Sequence, residues 1–262
     1  MLNMSLSALR DDEPHAPVYL DTLATVPLFA EFTPEELTEI GQLVTVRRYT
    51  RGQLLVREGD PGQALYVILA GSAAVQTEAG NRTTILALLK ARDFFGEMSL
   101  FDGTSRSATV RALTSVEAAI IERDDFLLLL ERSSRIARLF LGVLVERLRA
   151  ANVTISSATT RDAKARVASL LLDLSENFGE THSLGTRIAL RLTNREMARM
   201  VGTTRETVNR TLNGLWDERI VDMSTLNVVV TDVGKLRDAA GAKRVEPNVP
   251  YGEEPKANPA PM

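Results

Sequence analysis

From Val44 to Ile121 the chain runs as short segments of alternating or continuous apolar character. These are VTVRRY, LYVILA, AAVQTE, TTILALL, ATVRAL and VEAAII, separated by turn residues at Asp60-Pro61-Gly62, Gly71, Gly80-Asn81 and Asp102-Gly103. Short runs with regular turn signals predict the strands of a sandwich or barrel. Asp60-Pro61-Gly62 fits a type II turn, with Pro setting the first central φ and Gly taking the positive φ at the second. A helical stretch, FTPEELTEIGQLV, precedes the strands and is expected to pack on their edge.

From Asp124 to about Ser157 the period changes to helical. Ile136, Leu139, Phe140, Val143, Leu144, Leu148, Ala151 and Ile155 recur at spacings of three and four, and Leu141 and Val145 widen the apolar arc. A helix apolar on two sides must bury both. One can face the strands and the other a second copy in a parallel seam; burial inside one chain satisfies the same pattern.

A third pattern occupies residues 193 to 213, TNREMARMVGTTRETVNRTLN. Met197, Ala198, Met200 and Val201 form one apolar helical run, Gly202 interrupts it, and Val208 with Leu212 resumes the period one helix later. This is the spacing of a helix-turn-helix, with Thr203 or Thr204 as N-cap of the second helix. Arg205, Glu206 and Arg210 project together from that helix. An arginine fork suits the two major-groove acceptors of guanine, and a carboxylate suits the cytosine amino group. An ordinary helical hairpin with a solvated charged face fits the same spacing.

Composition narrows the classes. The 262 residues suffice for two domains, and 44% hydrophobic with 25% charged is ordinary globular usage. No apolar run reaches membrane-spanning length, and MLNMSLSALRDDEPH lacks the basic start and apolar core of a signal peptide, so a cytoplasmic location is expected. The chain has no cysteine, which excludes disulfides, cysteine-ligated iron-sulfur clusters and thiol sensing by this chain. Its two histidines, His15 and His182, leave little for haem ligation or acid-base chemistry, and no catalytic or metal-binding spacing appears, so an enzyme is not expected. The net charge of -3 divides unevenly: residues 161 to 245 carry 14 Lys and Arg against 11 Asp and Glu, and residues 1 to 160 are net negative. Five arginines (191, 195, 199, 205, 210) against Glu196 and Glu206 give residues 191 to 210 the positive footprint that phosphate binding needs.

The segment FFGEMSLFDGTSRSATVRA, residues 94 to 112, is the second candidate site. Gly96 permits close backbone approach, and the turn from Gly96 to Leu100 can offer N-H groups to an anion. Arg106, brought back by the Asp102-Gly103 turn, can add a charged fork and Ser107 a hydroxyl. Glu97 can accept from a sugar hydroxyl, so the set suits a ribose phosphate. A plain hairpin with a surface salt bridge has the same sequence.

Three of these segments together resemble the catabolite activator branch of the Crp/Fnr superfamily, over residues 28 to 240. REGDPGQALYVILAGSAAV resembles the family's EGD and glycine strand signature, FGEMSLFDGTSRSATVRA its phosphate-binding cassette, and GTTRETVNRTL its recognition helix. The resemblance implies an α+β chain: an antiparallel β jelly-roll that binds cyclic nucleotide (residues 21 to 123), a long dimerisation helix (124 to 160) and a winged helix-turn-helix (161 to 240). A disordered lead (1 to 20) and tail (241 to 262) flank them, the tail holding five prolines. It also implies a homodimer, gated by a cyclic nucleotide, that reads a TGTGA-like inverted repeat in double-stranded DNA and contacts RNA polymerase.

Carried to this sequence, the resemblance gives Glu97 the ribose hydroxyl and Arg106 with Ser107 the cyclic phosphate, with Gly96, Met98 and Ser99 shaping the loop. Arg205, Glu206 and Arg210 become base readers, and Thr193, Asn194, Arg195, Thr204 and Thr207 phosphate contacts. The departure is at the purine, where cyclic AMP responders carry Thr and Ser and this chain has Ala151 and Asn152. Asn152 can donate and accept, whereas the Ala151 side chain can do neither. Cyclic AMP stands first as effector, with cyclic GMP, another ligand or a constitutive regulator with a vestigial pocket still open; metal, haem and iron-sulfur clusters are not expected. Trp216 is expected in the reader's core, VDMSTLNVVVTD as a hairpin or wing, and residues 176 to 190 are expected to contain a Gly-rich surface loop, where the resemblance places a contact with RNA polymerase.

Overall fold

The computed structural model describes residues 16–27, 29, 32–80, 82–132, 134–160 and 162–241. They form two units, which divide between Ser156 and Ser157.

The first unit opens with helices α1 (Ala16–Ala24) and α2 (Pro34–Leu43). Thr33 caps α2 in a full capping box with Glu36, and Pro34 takes the first helical position, where its missing N-H costs nothing. Eight strands follow: β1 (Val44–Tyr49), β2 (Leu54–Val56), β3 (Ala64–Ala70), β4 (Ser72–Ala79), β5 (Arg82–Lys90), β6 (Phe94–Phe95) and, beyond the short helix α3 (Glu97–Asp102), β7 (Thr109–Ala112) and β8 (Val116–Glu122). They pair antiparallel in two four-stranded sheets, β1-β8-β3-β6 and β2-β7-β4-β5, the layered arrangement expected of a jelly-roll. β3 shows why this sheet reads as a continuous apolar run. Leu65, Val67 and Leu69 pack with Leu23, Phe29 and Ile40 of the helical layer, while Ile68 packs with Leu55, Leu89 and Val110 of the other sheet.

Helices α4 (Arg123–Arg132) and α5 (Ser134–Thr160) come next. The single helix expected over 124 to 160 is thus two elements, and serine at the start of the second is a residue whose hydroxyl favours helix beginnings over interiors. Ile136 and Phe140 of α5 are buried against the sheet, and Phe140 stacks on Phe94 at 5.2 Å between ring centroids.

The second unit contains α6 (Ala163–Phe178), capped by Asp162, then β9 (Gly179–His182), β10 (Gly185–Ile188), α7 (Asn194–Val201), α8 (Arg205–Asp217), β11 (Val221–Asp222), β12 (Val229–Val230) and α9 (Val233–Ala239). Its sheet runs β11-β12-β10-β9, so the expected wing is present as the β11-β12 hairpin. Val167, Leu171, Val208, Leu215 and Leu236 form its interior.

Four expectations need correction. Residues 16–20 of the expected disordered lead belong to α1, whereas residues 1–15 and the tail beyond Gly241 lie outside the described residues. In the stretch expected to contain a surface loop, residues 179–182 pair with 185–188 in a hairpin, so the loop is confined to the turn at 183–184. Trp216 is 46% exposed, because α8 turns Val208, Leu212 and Leu215 inward and the residue after Leu215 falls about 100° round the helix. The tight turn lies three residues earlier, at Arg57–Asp60: Asp60 N-H donates to Arg57 O and Gly59, at φ 86°, takes the left-handed position. Gly62 is needed for space instead, since a Cβ there would overlap the side chain of Ser99. No described helix is long and apolar enough to cross a membrane.

Candidate functional site

The cassette starts where β6 ends. Gly96, at φ 91°, turns the chain into α3, and Gly103, at φ 69°, turns it out again. Asp102 then accepts from both the N-H (2.9 Å) and hydroxyl (2.8 Å) of Thr104, which hold its carboxyl below the usual range and aim the return strand at Arg106. Two backbone bonds, Arg106 N-H to Asp60 O and Gly59 N-H to Arg106 O, fix that return against the β2-β3 turn.

Arg106 is 5% exposed. Its Nη1 donates to Gly96 O (2.8 Å) and Ser99 Oγ (3.0 Å), and Nη2 donates to Ala64 O (2.7 Å). Burial lowers its pKa from the ordinary value, with Tyr66 and Glu97 acting in the opposite direction. Of five N-H donors these bonds use three, leaving Nε-H and one on Nη2, enough for a bidentate fork to an anion. Ser99 is buried and itself donates to Gly96 O at 3.3 Å. A Cβ on Gly96 would overlap Arg106 Nη1, so this glycine is required both for its φ and for the space the guanidinium fills. Met98 and Ser107 are exposed at the mouth, with Ser107 Oγ donating to Met98 Sδ at 3.5 Å.

Glu97, buried, has a partner that the sequence reading missed. Arg147 of α5 donates from Nη1 to Glu97 Oε1 at 3.1 Å and from Nη2 to Phe94 O, and its guanidinium lies 4.5 Å from the centre of the Phe94 ring. The other Glu97 oxygen remains available to a hydroxyl donor. The sequence did hold a signal: Arg147 lies three residues after Leu144 and four before Ala151, on the side of α5 assigned to apolar contact. Ala151 and Asn152 lie one turn further on, both exposed, and no hydrogen bond joins either to the cassette among the described residues.

In the second unit Thr193 caps α7 through a capping box with Glu196, Gly202 ends α7 at φ 64°, and Thr204 caps α8 by accepting from Thr207 N-H at 3.1 Å. Arg166 of α6 donates from Nε to Val201 O at 2.9 Å and holds the turn. Arg205, Glu206 and Arg210 are all exposed on α8, whose Val208, Leu212 and Leu215 are buried. The Glu206 carboxyl is held below its usual range by its own backbone N-H first and then by the Thr204 hydroxyl, so the helix start keeps it ionised. Arg195 is exposed and Thr207 half-buried, whereas Thr193 has both its hydroxyl and its N-H engaged with Glu196. Asn194 donates from Nδ2 to Asn209 Oδ1 of α8 at 3.3 Å.

Two family models match the chain, a cyclic nucleotide-binding domain over residues 46–133 and a Crp-like helix-turn-helix domain over residues 165–239. A cyclic AMP receptor protein of Thermus thermophilus is 34% identical over 215 residues, covering 82% of this chain and 96% of that protein. The chain belongs to the Crp/Fnr family of transcription regulators. A CRP-like cAMP-activated global transcriptional regulator of Mycobacterium tuberculosis is 29% identical, over 82% of this chain and 97% of its own. Among solved structures, the c-di-GMP-responsive global regulator CLP of Xanthomonas campestris superposes with a TM-score of 0.64 at 29% identity, covering 72% of this chain and 94% of that one. The protein is therefore a DNA-binding transcription regulator with a cyclic-nucleotide-binding domain, of a family of regulators rather than enzymes.

Proposed function

We propose that the protein is a homodimeric regulator whose affinity for a TGTGA-like inverted repeat is raised by cyclic AMP. The observation that carries this is the cassette: a buried Arg106 with two N-H donors left and a buried Glu97 with one oxygen left, nine residues apart. That donor and acceptor set matches the phosphate and the ribose hydroxyl of a cyclic nucleotide. The Thermus and Mycobacterium relatives, named for cyclic AMP, support adenine as the base.

The second copy is argued from α5. Leu141 (60% exposed), Val145 and Leu148 (62%) follow one another at spacings of four and three, the a/d spacing of a two-helix seam. In a dimer, two α8 helices enter successive major grooves about 34 Å apart. Arg205, Glu206 and Arg210 read bases, while Arg195, Thr207 and the capped helix starts at Thr193 and Thr204 meet phosphates; RNA polymerase is the partner at promoters.

Ala151 favours a second reading, in which another effector such as cyclic GMP or c-di-GMP takes the pocket, or none does. Fluorescence anisotropy on a labelled TGTGA-N6-TCACA duplex at fixed salt separates these, without ligand and with cyclic AMP, cyclic GMP and c-di-GMP in turn. Tightening by cyclic AMP alone is expected. Affinity unmoved by cyclic AMP defeats the proposal.

A further inference from the structure

The exposed side of α8 carries a carboxamide that the arginine and glutamate pattern passes over. Asn209 is exposed, four residues after Arg205, three after Glu206 and immediately before Arg210, so its side chain lies among theirs. Its neighbours on either side in sequence differ: Val208 is fully buried and Arg210 is exposed. The partner of its Oδ1 is Asn194 Nδ2, at 3.3 Å, from the first residue of α7. That bond holds the oxygen end of the amide. Both N-H donors of Asn209 and a second lone pair on Oδ1 remain for a ligand in front.

An amide with an adjacent donor and acceptor is the complement of adenine's major-groove edge, which offers N7 as acceptor and the N6 amino group as donor. Guanine shows two acceptors there, and an amide oxygen facing O6 is repelled. Within a TGTGA-like half-site, a reading taken from the proposed function, the guanidinium and carboxylate groups of Arg205, Glu206 and Arg210 suit the two G·C pairs. The pair between those two is T·A. Asn209 lies between Arg205 and Glu206 round the helix and next to Arg210 along it, where its carboxamide can face that pair.

We propose that Asn209 is a fourth base-reading residue, taking the adenine of the central T·A pair, and that Asn194 is a positioning residue that holds the Asn209 amide rather than a phosphate contact. Such a bidentate contact discriminates by about fivefold to a hundredfold against other bases.

The test uses the full chain, with and without cyclic AMP, and measures anisotropy on the inverted repeat, on repeats with the central pair changed, and on a repeat carrying 7-deazaadenine there. The modified base removes N7 alone and leaves the helix shape nearly unchanged. Wild type should weaken about tenfold on both kinds of altered duplex. Asn209→Ala should bind the parent repeat about tenfold more weakly and be indifferent to the central pair and to 7-deazaadenine, while still rejecting changes at both G·C pairs. Asn194→Ala should show a smaller blurring at that same pair. An Asn209→Ala protein that keeps the wild-type preference at the central pair, or that loses equally on random DNA, overturns the assignment. Selection from random duplexes by both proteins separates this from the half-site reading. A wild-type consensus without the two G·C pairs counts against TGTGA, whereas identical consensus sequences for wild type and Asn209→Ala overturn Asn209 whatever the site.

Discussion

Arg106 holds the cassette together as well as presenting donors to a ligand, and Arg106→Leu tests both roles. The substitution removes bonds to Gly96 O, Ser99 Oγ and Ala64 O, at 2.8, 3.0 and 2.7 Å, from a position 5% exposed. Hydrogen bonds to a charged group contribute about 1.5 to 3 kcal/mol each, so the three total roughly 5 to 9 kcal/mol. Removing a buried cation returns several kcal/mol of desolvation, and Ser99 keeps its own bond to Gly96 O. A net destabilisation of about 2 to 4 kcal/mol remains. For a unit of this size that is a fall of roughly 5 to 15 °C in Tm. Urea unfolding of the full chain, followed by circular dichroism, should show the loss of stability in the transition of the unit that holds Arg106. Cyclic AMP at a hundred times its wild-type Kd should stabilise wild type by about 2.7 kcal/mol and leave the variant unmoved. A variant as stable as wild type would show that water replaces the guanidinium freely and that the cassette is not a dry, shaped structure. A variant that keeps the ligand stabilisation would remove Arg106 from the phosphate.

Three further outcomes follow from the same geometry. Gly96→Ala places a side chain at φ 91° in space held by Arg106 Nη1, and urea unfolding should show a loss of about 1 to 3 kcal/mol in the sensor alone. Leu148→Glu puts a charge in the exposed apolar stripe of α5; sedimentation should change from dimer to monomer, and affinity for the inverted repeat should fall more than tenfold with secondary structure unchanged. Burial raises the pKa of Asp93, against the opposing influence of the Lys90 N-H and Arg147. A carboxyl whose folded pKa lies above its unfolded value makes stability fall as pH rises from the ordinary aspartate value, near 3.9, through the folded one. Asp93→Asn keeps an oxygen for the Lys90 N-H, so its urea midpoint should exceed that of wild type at about pH 7 and match it at about pH 4; a constant offset at both would contradict the assignment.

The elements whose signals are local were legible in the sequence. Alternation over a few residues marks the strands, and the Gly202 interruption with Thr193 and Thr204 marks two capped helices, because caps and periods depend on near neighbours. What was not legible depends on contacts between distant segments. Gly62 looked like a turn residue, but its role is set by Ser99, which α3 brings against it. Arg106 was read as a free ligand group, yet Ala64, forty-two residues away, engages one of its nitrogens. Arg147 was absent from the reading because its acceptors lie fifty and fifty-three residues away. Trp216 is a different case: it follows buried Leu212 by four residues and Val208 by eight, so the period admits it to the apolar arc, and its place at the edge of that arc, about 100° from Leu215, leaves it exposed.

Arg147 bears on how the proposed gate works. It ties Glu97 to α5, and Leu148 of the proposed seam is the next residue, so the proposed ligand on Glu97 and second copy on α5 would act on adjacent positions of one helix. Shifting a two-state protein from 1:99 to 99:1 takes about 5.5 kcal/mol of preference for one state. The Arg147 side chain is 35% exposed, and an ion pair so placed contributes at most about 1 kcal/mol after screening. Two such pairs, one in each copy, fall well short. The larger part has to come from the phosphate on the remaining donors of buried Arg106, and from burial of Leu141, Val145 and Leu148, at about 25 cal/mol per Å² of apolar surface. Arg147→Gln should therefore reduce the effect of cyclic AMP on DNA affinity only several-fold, whereas Arg106→Leu abolishes it; equal losses in DNA titrations of the two variants would place the coupling in the Glu97–Arg147 pair instead.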